Sequence, residues 1–147
     1  MEYNSFEMAY CGLCCTACSF KVAFESGDRR HVGAMPARYD RMKALPFSEL
    51  ACEGCKGQNI CGECDMKDCA AAKGLEHCAA CDDFPCAHTN KFQNDGVPHH
   101  RQAVEDLHKI KAVGVEAWFA EYSKGLTCAA CGKRQSWYCR CAQHNAE

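Results

Sequence analysis

The stretch CGLCCTAC, residues 11–18, places four cysteines in eight positions, two of them adjacent. It opens a series of sixteen cysteines in a chain of 147 residues. That density marks a fold that depends on cross-links rather than on a large apolar core. The 48% hydrophobic fraction counts these cysteines, so the remaining core is thinner than the figure implies. Cross-links between cysteines are either disulfides or metal. The start, MEYNSFEMAYCG, has no basic run and no long apolar run, so the sequence predicts no export signal and a cytoplasmic location. In that compartment a cysteine-rich chain is expected to bind metal rather than to form disulfides. No stretch approaches the length of about 18 apolar residues that a membrane span needs, so none is expected.

Spacing sharpens the expectation. Six C-x2-C pairs occur: Cys11/Cys14, Cys15/Cys18, Cys52/Cys55, Cys61/Cys64, Cys78/Cys81 and Cys128/Cys131. Such a turn converges two sulfurs on one ion. A single pair can be a redox dithiol. Six pairs, in a total divisible by four, favour four-coordinate sites and about four Zn2+ ions. The ligand candidates are all sixteen: Cys11, Cys14, Cys15, Cys18, Cys52, Cys55, Cys61, Cys64, Cys69, Cys78, Cys81, Cys86, Cys128, Cys131, Cys139 and Cys141.

In the first block, offsets 0, 3, 4 and 7 fit one face of a helix, which Gly12 would weaken. Adjacent side chains diverge, so Cys11/Cys14 and Cys15/Cys18 are expected to serve different sites or to cap a cluster. The plainer reading makes Cys15 or Cys18 a small buried apolar residue. In the middle block, CGECDMKDC (61–69) and CAACDDFPC (78–86) repeat C-x2-C-D-x3-C. Each copy supplies three thiols, and Cys52 with Cys55 brings the ligands to eight, enough for two sites. In the last block, TCAACGKRQSWYCRC resembles a small zinc ribbon, with C-x-C where a second C-x2-C is usual. His144 is a candidate substitute there. His77 and His88, beside Cys78 and Cys86, are candidate substitutes or hydrogen-bonding neighbours of the sulfurs. The cysteine count closes without them.

The cysteine-free segments read as helices. Phe20, Ala23 and Phe24, then Val32, Met35, Tyr39 and Met42, recur at helical spacing. Val104, Leu107 and Ile110 share a face, and after Gly114 so do Val115, Trp118, Phe119 and Tyr122. Their expected role is core packing. His99 and His100 read as a solvated turn or helix start. The fold expected is therefore a small, mainly α, loop-rich, metal-stabilised domain with several four-cysteine knuckles (1–124), plus a small C-terminal zinc ribbon (125–147).

Charge narrows the partners. Lys and Arg number 17 against 19 Asp and Glu, a formal balance of −2. Four sites of four thiolates would take the loaded protein to about −10, a poor match for a phosphate backbone. The zinc-finger look is therefore not read as nucleic-acid binding. Arg29, Arg30, Arg38, Arg41 and Lys43 read as a solvated helix face. No nucleophile elbow, P-loop, dinucleotide fingerprint or metalloprotease motif occurs. Closed four-thiolate sites leave no position for substrate, so the reading leans against catalysis.

Together, CGLCC (11–15), C-x-G-C (52–55), C-x2-C (61–64), CA (69–70), C-x2-C (78–81), FPC (84–86) and GVEAW (114–118) resemble an uncharacterised prokaryotic cysteine-rich family, the domain of unknown function 3795. The resemblance spans roughly 8–124 and implies a small metal-binding domain with no assigned activity. The expected function is that of a multi-site zinc protein serving an unknown protein partner by interaction or scaffolding. One alternative is an iron–sulfur protein with 4Fe-4S clusters in the main domain, carrying electrons or accompanying a redox enzyme. The ferredoxin run C-x2-C-x2-C-x3-C-P is missing, but a cluster spread over distant knuckles fits the spacing. The other alternative is metal storage or thiol-based sensing.

Overall fold

The computed structural model describes residues 2–57 and 62–141. Among these described residues seven α-helices follow in order: α1 (Ser19–Ser26), α2 (Arg30–Gly33), α3 (Asp40–Lys43), α4 (Asp65–Ala72), α5 (Ala87–Gln93), α6 (Pro98–Val113) and α7 (Val115–Tyr122). Short 3-10 turns, among them Cys15–Ala17 and Cys78–Ala80, join them. Among the described residues there is no strand, and pairing is limited to two isolated antiparallel bridges, Met8–Cys14 and Thr127–Arg134. The protein is thus small, mostly helical and rich in loops, as the periodicity predicts. No helix among the described residues is long and apolar enough to cross a membrane.

α6 is the organising element. Pro98 sits in its first turn, where a missing N–H costs nothing. Gly114, at φ +89°, ends it and caps α7. Val104, Leu107 and Ile110 are buried along one face, and Trp118 and Phe119 of α7 pack beside them. α5, α7 and the Cys78–Ala80 turn lie against α6. A second apolar group gathers Phe20, Ala23, Val32, Met35 and Leu50 around Cys18. Burial of Phe20 and Ala23, with Phe24 exposed, fixes the inner face of α1.

Residues 11–18 do not form the single helix that their offsets permit. They form a tight turn followed by one 3-10 turn. The Ala9 N–H donates to the Leu13 carbonyl at 2.8 Å, and the Gly12 N–H to the Ala9 carbonyl at 3.2 Å. Gly12 has φ +96°, and a Cβ there would meet the Ala103 carbonyl oxygen at 2.4 Å and Leu107 Cγ at 2.7 Å. The turn is wedged against α6, and only glycine fits. The Cys78 N–H then donates to the Tyr10 carbonyl at 2.8 Å, tying the first cysteine block to the middle one.

Residues 126–141 pack back on the start of the chain. The Trp137 N–H donates to the Ala17 carbonyl at 3.0 Å, and Arg134 Nη2 donates to the Thr16 carbonyl at 3.0 Å. Ser136, fully buried, bonds Ser19 Oγ at 3.1 Å and His31 Nδ1 at 2.8 Å. The His99 ring stacks on Trp137 with centroids 4.5 Å apart and planes 11° apart. This overturns the expectation of a solvated His99: it is 7% exposed. Tyr138 Oη accepts the His99 N–H at 3.3 Å and lies 2.7 Å from Nδ1, while Nε2 faces Tyr39 Oη at 3.4 Å, so both ring nitrogens have hydroxyl partners. Pattern alone missed this because the partners lie about 40 and 60 residues away in sequence.

Two outcomes follow from this packing. Gly12→Ala combines a left-handed backbone with overpacking, together about 3 kcal/mol, or a Tm lower by roughly 6–12 °C. An unchanged thermal unfolding curve would refute the close approach to α6. For His99, burial first, then the His100 and Arg38 charges, push the pKa down to about 3, with Asp95 opposing. Between about pH 3 and the ordinary value near 6.5, the unfolded chain binds this proton and the folded chain does not, so acid favours unfolding. His99→Gln should flatten the loss of stability as pH falls below about 6.5, by up to one proton of slope. Parallel pH profiles for the two proteins would contradict the buried neutral ring.

Candidate metal centres

Cys128, Cys131 and Cys141 bring their sulfurs within 4.8 Å of one another. Cys131 Sγ and Cys141 Sγ are 3.2 Å apart. The knuckle is built by backbone: the Cys128 N–H donates to the Lys133 carbonyl at 2.9 Å, and the Gly132 N–H to the Cys128 carbonyl at 2.8 Å. Gly132, at φ +73°, makes that reversal. The Cys141 N–H is held by Gln135 Oε1 at 3.0 Å. Burial raises the Cys128 thiol, but the N–H groups of Cys131 and Ala130 and the thiols of Cys141 and Cys131 outweigh it, leaving the pKa below its ordinary value. Those donors make the Cys128 thiolate easier to form than that of a free cysteine. This donor set fits a thiolate-bound metal.

Cys139 stands apart from that group. Its Sγ lies 3.9 Å from the Arg140 carbonyl oxygen. Burial and then the Asp28 charge raise its pKa, against Arg30. His144 lies outside the described residues.

A second set of thiols surrounds a cavity of about 350 Å3 in the body of the domain. Cys11, Cys15, Cys18, Cys52, Cys55 and Cys64 line it. Gly54, at φ +107°, seats the 52–57 loop beside Cys15, where a Cβ would be 3.5 Å from Cys15 Sγ in ordinary contact and a tighter 3.2 Å from the Phe6 carbonyl oxygen. Burial pushes the Cys11 thiol well above its ordinary value, with added repulsion from Cys55, Cys64 and Cys15. Burial likewise takes Cys15 up to about 11 and raises Cys55. Cys11, Cys15 and Cys55 thus resist ionising on their own, and a cation among them would release their protons as it binds.

Cys69, Cys78, Cys81 and Cys86 form a third neighbourhood. Burial, then repulsion from Cys86, Cys69, Cys81 and Cys64, lifts the Cys78 thiol to about 12. Cys69 comes from α4, Cys78 begins a 3-10 turn that Cys81 closes, and Cys86 caps α5. Burial works to raise the Cys86 pKa, but the Thr89 N–H and hydroxyl, the His88 N–H and the Lys73 charge bring it below its ordinary value. Lys73 Nζ lies 3.3 Å from Cys81 Sγ and 3.2 Å from Asp83 Oδ2. Sequence reading did not single out Lys73. It follows the first repeat and touches the second, and nothing in a local pattern signals that.

The thiol repeat therefore does not keep its two copies as separate units, because Cys69 of the first joins the second. Cys14 does not line the cavity: it is buried where the backbone bridges to Met8, and burial takes its thiol to about 12. His77 is half-buried beside Cys78, with Nδ1 unpaired among the described residues. His88 offers its backbone N–H to Cys86. Cys61 lies outside the described residues.

Residues 7–91 match the family described as "Protein of unknown function (DUF3795)", more than half of the chain. The chain belongs to that family. The match holds the second and third thiol sets and ends within α5, so GVEAW and the 126–141 segment lie beyond it. No curated protein and no solved structure matches the chain.

Cys131→Ser should remove about one metal equivalent and leave helical content and the Tm of the main transition near those of the parent. Cys78→Ser should instead lower that transition together with metal content. Metal analysis beside circular dichroism checks both, and full metal retention in either variant would refute a ligand role for that thiol.

Proposed function

We propose that the chain is a multi-site metal–thiolate protein whose ions staple a fold with too little apolar core to stand alone. The observation that carries this reading is the Cys128, Cys131 and Cys141 group, with sulfurs within 4.8 Å of one another. A tetrahedral Zn2+ with bonds of about 2.3 Å holds its sulfurs about 3.8 Å apart, so one ion suits this set. Zinc has no redox chemistry, and its role here is structural. The stapled body then presents its surface, including exposed Phe6, Phe24 and Val113, to a protein partner.

A second reading concerns the main domain alone. Six thiols surround its cavity of about 350 Å3, yet among the described residues no three of them lie within 4.8 Å of one another. A polynuclear iron–sulfur cluster spaces its thiolates more widely than a single ion does, and the apolar wall of Met35, Phe92 and Trp137 would shield it from water. On this reading the C-terminal zinc remains and the domain carries electrons.

Metal and acid-labile sulfide analysis of anaerobically purified protein tests both. Zinc at about four equivalents without sulfide is expected for thiolate staples. Iron with equal sulfide and a broad visible charge-transfer band would overturn zinc in the main domain. Metal-free protein that stays folded would overturn the proposal as a whole.

A further inference from the structure

Among the fifteen described cysteines, Cys131 is the exposed one; the others are buried or partly buried. Its sulfur lies 3.2 Å from Cys141 Sγ, and Cys141 is buried. An exposed thiol therefore rests on a covered one. A disulfide bond is about 2.05 Å long, so each sulfur has only about 0.6 Å to travel.

The pair is held together by contacts that do not involve the two sulfurs. Gly132 turns the knuckle, and its N–H donates to the Cys128 carbonyl at 2.8 Å. The buried Gln135 accepts the Cys141 N–H at 3.0 Å and donates to the Gly125 carbonyl at 3.1 Å. Local sequence points to a different pair, since C-x2-C at Cys128 and Cys131 is the ordinary spacing of a redox dithiol. Cys128 does touch both other sulfurs, but the N–H groups of Cys131 and Ala130 hold its sulfur within the knuckle. Hydrogen bonds of that kind occupy the lone pairs a nucleophile needs.

We propose that Cys131 and Cys141 form a peroxide-sensitive dithiol whose closure to a disulfide discharges the C-terminal ion; the discharge rests on the metal reading of this group. Hydrogen peroxide is the oxidant. Cys131 Sγ attacks one peroxide oxygen and the O–O bond breaks. Cys131 becomes a sulfenic acid, and the hydroxide released takes a proton to give water. Cys141 Sγ then attacks Cys131 Sγ, the S–O bond breaks, and a second hydroxide leaves and is protonated to water. The two thiolates lose two electrons, and the peroxide is reduced to two waters. Of the three sulfurs only Cys128 remains to the ion, which departs.

The test is peptide mapping of the full metal-loaded chain after a stoichiometric amount of hydrogen peroxide, with the remaining thiols alkylated. Trypsin cuts after Lys124, Lys133, Arg134 and Arg140, which puts Cys128 and Cys131 in 125–133, Cys139 in 135–140 and Cys141 in 141–147. The expected product joins 125–133 to 141–147 through Cys131, with Cys128 alkylated, and forms as the ion passes to a chromogenic chelator. Cysteines of the first and middle blocks should react roughly tenfold more slowly, because they are covered. Cys141→Ser should stop at a Cys131 sulfenic acid that dimedone traps, and Cys139→Ser should give the same cross-link as the parent. A disulfide within 125–133, a bond to 135–140, or earlier loss of the first- and middle-block thiols would overturn the proposal. So would release of the ion without the cross-link, which leaves the metal reading standing. If Cys131→Ser leaves the metal content unchanged before any peroxide is added, the metal reading of this group fails and the discharge fails with it.

Discussion

Gly12 touches α6 where a side chain would collide with the Ala103 carbonyl, and that contact sets the direction of every thiol in the first block. With the turn seated there, Cys11 and Cys15 face the central cavity, while Cys14 is carried to the bridge with Met8. The Tyr10 carbonyl meets the Cys78 N–H, and the 52–57 loop settles over Cys15 through Gly54. Three cysteine-bearing segments far apart in sequence thus converge because one backbone position has no Cβ. α6 supplies the rigid surface, and its own order comes from Val104, Leu107 and Ile110 on a single face.

Cysteine acts here as both core and ligand. Cys11, Cys14, Cys15 and Cys18 are as buried as the aliphatic residues around them. Burial holds the Cys11, Cys14 and Cys15 thiols neutral, so without a cation they pack as small apolar groups. A cation turns the same atoms into paired charges. Cys86 and Cys128 behave differently, because backbone N–H groups already favour their thiolates. Metal uptake should therefore be easiest where the turn geometry has prepared a thiolate, and most strongly linked to pH in the central cavity.

Much of this was legible in the residues. The periodicity of 104–122 marked two helices split at Gly114, and the C-x2-C at Cys128 marked a knuckle. α4 was not legible, because Asp65, Lys67 and Asp68 give its segment the look of a loop while its buried face rests on Met66 and Ala70 alone. Nor was the placement of Cys139 apart from Cys141, two residues away and chemically equal. Arg30 and Asp28, which stand beside Cys139, come from the other end of the sequence. His99 escaped for the same reason, since its environment is made by Trp137 and Tyr138.

The hydrogen bond between Ser19 and Ser136 spans 117 residues, and that span has a consequence for synthesis. At about 5–20 residues per second, roughly 6–23 s separate the appearance of the two partners from the ribosome. Until residue 137 emerges the Thr16 and Ala17 carbonyls lack their cover, and once α6 is made the six-thiol cavity still lacks its Trp137 wall. The growing chain thus offers its central thiols to the surrounding metal pool before the last segment shuts over them.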